Sequence, residues 1–61
     1  MTRKQMKKFA DEIYNCELVH QNENASKEDK AHAEDRIIQL TKQIMAFPDG
    51  INALLEIDAL V

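Results

Sequence analysis

Two apolar stripes in this sequence mirror each other about a fixed point. Met6, Phe9, Ile13, Cys16 and His20 recur at alternating steps of three and four, with Ala10 alongside, and Ala33, Ile37, Leu40, Ile44 and Phe47 repeat the pattern further on. Spacing of that kind lays each set along one face of an α-helix. Pair Met6 with Phe47, Phe9 with Ile44, Ile13 with Leu40, Cys16 with Ile37 and His20 with Ala33, and the two residue numbers add to the same value every time. A constant sum describes two helices running antiparallel about a turn near Ser26, the arrangement that a short connection imposes. The expected fold is therefore all-α, built on a helical hairpin.

Local signals set the boundaries. Thr2 followed by Gln5 is the T-x-x-Q form of a capping box, with Met1 and Met6 placed as a hydrophobic staple, so the first helix is expected at about 3–21. The polar string Gln21-Asn22-Glu23-Asn24-Ala25 reads as a loop over 22–26, because Asn competes for backbone hydrogen bonds and tolerates turn conformations. Ser26 and Asp29 form an S-x-x-D box, Glu28 joins Asp29 in the first turn where the helix dipole favours acids, and the second helix is expected at about 27–46. Pro48 stops it. Phe47-Pro48-Asp49-Gly50 is a turn with Asp49 as N-cap, and a short third helix follows at about 50–60, all within one domain over 1–61.

The hairpin leaves apolar surface over. Ala31, Ile38 and Met45, spaced by seven with Thr41 between them, lie about 100° round the second helix from its main stripe, where the first helix cannot reach. In the third segment Ile51, Leu54, Leu55 and Val61 share a face, and Ile57 and Leu60 widen the apolar arc. Tyr14, Leu18 and Val19 also stand off the main stripe of the first helix. Contiguous exposed apolar patches beyond a few hundred Å² are rare on monomers. The expectation is self-association, a dimer first, in which two hairpins complete a helical bundle, with Ala31, Ile38, Met45, Ile51, Leu54 and Leu55 as the interface. Docking to a different protein is the other outlet for the same surface.

Composition narrows the class. With 44% hydrophobic and 31% charged residues the chain is neither disordered nor of low complexity. Its uncharged runs, Gln43 to Pro48 and Gly50 to Leu55, fall far short of a membrane span, and Lys7, Lys8, Asp11 and Glu12 break up any signal-peptide core. Cys16 is the only cysteine, so no internal disulfide staples the core and a cytosolic setting is expected. At 61 residues without such a staple, stability must come from well-formed helices, a metal or an oligomer.

Charge is uneven. The net charge is −3, yet Arg3, Lys4, Lys7 and Lys8 crowd the start of the first helix, where cations oppose the dipole by a few tenths of a kcal/mol each. Lys7 and Lys8 reach toward Asp11 and Glu12 at i,i+4, which offers a structural account. Contact with an acidic surface or a nucleic-acid backbone is the functional one, and it makes a nucleic-acid accessory role the alternative reading.

Catalytic signals are thin. Cys16, His20 and His32, with Asp29 or Asp35, are the residue types of a tetrahedral zinc site near the loop, but neither C-x-x-C nor H-E-x-x-H spacing is present. A nucleophilic cysteine needs a base, an orienting group and a cleft. Asp11/Glu12, Glu28/Asp29 and Glu34/Asp35 are sequence neighbours and fan apart around their helices. With a single glycine there is no phosphate loop. The expectation is a non-enzyme with no cofactor, no small-molecule substrate and no membrane role, acting through protein–protein contacts.

Overall fold

In a computed structural model describing residues 1–60, the chain forms three helices: α1 (Arg3–Gln21), α2 (Lys27–Met45) and α3 (Gly50–Leu60), with no strand among the described residues. Val61, expected on the face of the third helix, lies outside the described residues.

Capping chemistry explains where the helices begin. The Thr2 hydroxyl accepts the Gln5 N–H at 3.2 Å while the Gln5 side chain accepts the Thr2 N–H at 2.9 Å, so both halves of the box are made. At α2 only half of one forms: the Asp29 N–H donates to Ser26 Oγ at 3.1 Å. Between them Asn22 folds the loop, its side chain accepting the Asn24 N–H and its carbonyl the Ala25 N–H. The C-cap of α2 falls on Ala46.

Cross-helix contacts give the direction of the hairpin. Met1 meets Asp49, Glu12 meets Arg36 and His20 meets Glu34, so partner numbers in α2 and beyond fall as those toward the end of α1 rise. The helices are antiparallel, and His20 stands one residue from the level that the constant-sum pairing assigns it.

The core sits at one end. Ala10 and Ile13 of α1, Leu40 and Ile44 of α2, and Ala53 and Ile57 of α3 form one buried cluster, with Met1, Met6, Phe9 and Leu54 packed against it. Leu40, Ile44 and Ile57 are sealed from solvent, and each such side chain contributes ~1.5–3 kcal/mol by leaving water. At 11 residues α3 is about 16 Å long, against about 28 Å for α1 and α2, so it walls only part of the hairpin. Toward the loop, Cys16 and Ile37 stay half-buried and His20 is exposed, although all three belong to the stripes.

Gly50 makes the return possible. A Cβ there would collide with the Ile44 carbonyl oxygen and stand 2.8 Å from Met45 Cα, so only a residue without a side chain lets α3 start this close to the end of α2. Asp49 departs from its expected role. Its carbonyl accepts the Ala53 N–H, but its carboxylate turns to the Met1 amino group at 2.7 Å. The hydrogen bond from that amine, more than its charge, holds the Asp49 carboxyl below its ordinary pKa.

Two predictions follow from this packing. Leu40→Ala and Ile57→Ala should each lose ~2–5 kcal/mol in denaturant unfolding; an Ile57→Ala protein as stable as the parent would show that α3 does not close the core. Because folding lowers the Asp49 pKa, the contribution of the ion pair is complete above the ordinary carboxylate range and fades as pH falls below ~4. Asp49→Asn should therefore melt below the parent at pH 6, and the difference between the two should shrink as pH falls below the ordinary carboxylate range.

Candidate interaction surface

Helical geometry turns 100° per residue, which places Ala31, Ile38 and Met45 along a single ridge of α2. All three are exposed, Ile38 at 53% and Met45 at 46%. Thr41 lies on the shoulder between this ridge and the core. It is half-buried, and its hydroxyl donates to the Ile37 carbonyl at 2.9 Å, which satisfies the polar atom within α2. Because Thr41 is covered and Lys42 exposed, α3 lies on the Thr41 side of the ridge.

From that side α3 adds Ile51 and Leu55, 66% and 65% exposed and one turn apart. Met45 and Ile51 line the same depression beside the Pro48 turn, so the ridge of α2 meets the outer side of α3 there. Leu54 departs from the face expected for it with Ile51 and Leu55: Ala53 and Ile57 point α3 inward, and Leu54 packs partly buried against the core of its own chain. Periodicity could not separate these positions, because apolar residues occupy most of the circumference of α3.

A second exposed apolar area lies on α1, where Tyr14 and Leu18 stand one turn apart, 50% and 48% exposed, with Val19 beside them. The basic cluster lies at the other end of that helix. Arg3, Lys4, Lys7 and Lys8 are all exposed, and Arg3, Lys4 and Lys7 border a groove closed at one side by Leu60. The i,i+4 partners expected for the lysines are not taken up. Glu12 instead accepts the Arg36 guanidinium, with Nε and one terminal nitrogen each at 2.9 Å from its Oε2. Among the described residues no carboxylate lies within 4.0 Å of any of the four cations. Arg36, which the sequence does not single out, is the cross-helix clamp; the constant-sum pairing sets position 12 opposite 41 and gives no signal for it.

The residues weighed as a zinc set are divided by the hairpin. Cys16 and His32, with Asp29, line a groove on one side near the loop. His20 lines a groove on the other side, with its Nε2 2.7 Å from Glu34 Oε1. Cys16 and His20 stand one turn apart on α1, yet they open into different grooves of the hairpin. Among the described residues no three Cys, His, Asp or Glu side chains come together as a metal would require. His20 Nε2 is engaged by Glu34 rather than by Cys16.

Among the described residues no helix is long and apolar enough to cross a membrane. In comparisons with known proteins, no family model, no curated protein and no solved structure matches the chain.

Proposed function

We propose that this chain is a small non-enzymatic protein that acts through protein–protein contacts, and that it does so as a homodimer joined over the α2–α3 surface in a reducing, cytosolic compartment. The observation that carries this reading is that Ile38, Met45, Ile51 and Leu55 stay exposed after α3 has closed the core, with Met45 and Ile51 lining one depression. These side chains are not needed to enclose Leu40, Ile44 and Ile57, so their apolar character calls for another occupant.

Shape and area support it. The radius of gyration is 12.0 Å and the extents are 37 × 18 × 14 Å, whereas a globular chain of this length has a radius near ~10.5 Å. A compact 7.0 kDa monomer exposes about 4,000 Å², and this chain exposes 4703 Å². The surplus, roughly 700 Å², approaches the ~800 Å² that each partner contributes to a standard interface. The reading as a non-enzyme is supported by the engagement of His20 with Glu34 rather than with Cys16 and by carboxylates that diverge around their helices.

The exposed cluster of Arg3, Lys4, Lys7 and Lys8, without an ion-pair partner among the described residues, favours a second reading, in which the start of α1 binds a nucleic-acid backbone. The net charge of −3 places it second.

Sedimentation equilibrium at micromolar concentration should give twice the chain mass, and Ile38→Glu should reduce it to the monomer with helicity unchanged. A parent protein that sediments as a monomer at every concentration overturns the homodimer. For the second reading, binding to DNA or RNA at low ionic strength should weaken about tenfold or more between 50 and 200 mM salt, to the extent that these cations neutralise ~3–4 phosphates. Replacing all four with Ala should abolish it, and the absence of low-salt binding removes that reading.

A further inference from the structure

The ridge on α2 carries information about how a second copy would sit, and the argument rests on the homodimer proposed above. Ala31 and Met45 are each seven residues from Ile38, so the ridge is symmetric about that residue. Around it the charges are not symmetric. Asp35 and Lys42 both lie on the flank away from α3, on opposite sides of Ile38 along the helix, while Glu34 and Thr41 occupy the flank toward α3. Asp35 and Lys42 are exposed, and among the described residues neither has an ion-pair partner.

Two symmetric ways of pairing α2 with its copy can be compared. If the helices run parallel, the two-fold axis lies along them and each flank faces the opposite flank of the partner. Asp35 then stands beside the partner's Glu34, acid against acid, once in each direction. Glu34 already lies against His20 in its own chain, so that arrangement also crowds a side chain in use. If the helices run antiparallel, the axis passes through Ile38 and each flank faces its own equivalent. Asp35 then stands beside the partner's Lys42 in both directions, Ile38 meets its own copy, and Ala31 meets the partner's Met45. The small side chain opposite the long flexible one fills the end layers.

Antiparallel pairing also uses α3. The axis brings both copies of α3 to one side of the α2 pair, with the Ile51 end of each toward the partner's Ala31. Charge and apolar surface therefore select the same arrangement.

We propose that the occupant of this face is a second copy of the chain, docked with α2 antiparallel to α2 about a two-fold axis at Ile38, with Asp35 of each copy paired to Lys42 of the other. Exchange of charge at these two positions tests it. The chain carrying Asp35→Lys places lysines at both positions and the chain carrying Lys42→Asp places aspartates at both, so each repels its own copy. Each variant alone should dimerise about tenfold or more weakly than the parent at low salt. Mixed in equal amounts, they should form a heterodimer of near-parental affinity, and the double variant carrying both changes should dimerise within about threefold of the parent. Circular dichroism of each variant checks that the helices are intact.

The outcomes are separable. A parent that sediments as a monomer overturns both this arrangement and the homodimer on which it rests. A parent dimer whose affinity neither single variant changes overturns the arrangement and leaves the homodimer standing. A parent dimer weakened by both variants but not recovered in the mixture also overturns it, since only the antiparallel register pairs position 35 of one chain with position 42 of the other.

Discussion

The contact of Ile57 and Ala53 with Leu40 and Ile44 is the interaction on which the rest of this structure depends. Two helices packed side by side enclose a line, not a volume, and residues along that line keep one side in water. The third helix supplies the missing wall, but only over its own eleven residues. Every other feature follows from where that wall stops. The main buried cluster gathers at the Pro48 end, the loop half of the hairpin remains a two-helix layer in which Ala33 is buried, and the outer sides of α2 and α3 meet at Met45 and Ile51. Gly50 sets the position of the wall, because its missing Cβ decides how near α3 approaches the last turn of α2.

Much of the architecture was legible because it is encoded at short range. The spacing of Ile13, Cys16, Leu40 and Ile44, the Thr2–Gln5 box and the Asn-rich loop are patterns a few residues long, and each reports on backbone geometry directly. What could not be read was the orientation of α3. With Ile51, Ala53, Leu54, Leu55, Ile57, Ala59 and Leu60 spread around eleven residues, the apolar pattern has no strong direction, and the grouping of Leu54 with Leu55 could as well have been Leu54 with Ile57. The inward face was chosen by fit: small residues at 50 and 53 permit close approach, and Ile57 fills the space beyond them.

The candidate surface shows the same division. Ala31, Ile38 and Met45 could be placed from periodicity because the stripe facing α1 fixes the rotation of α2. The fate of the lysines could not, because Glu12 has two possible cations in reach and the hairpin decides between them. A residue on the other helix, Arg36, offers a planar guanidinium with two donors to one carboxylate oxygen, and Lys8 offers a flexible point charge from the less favourable side in sequence. Sequence neighbours define what is within reach, and tertiary packing chooses among them.

One consequence of the short third helix concerns motion. Local opening is easiest where few apolar contacts must be broken, which here is the end of the hairpin holding Asn22, Asn24 and the half-buried Cys16. The ridge on α2 runs from the firm end to this softer one: Met45 is anchored beside α3, while Ala31 rides on the part of the hairpin held by two helices alone. A partner that spans the whole ridge would clamp both ends together, so binding along α2 would slow the opening of a loop that the partner need not touch.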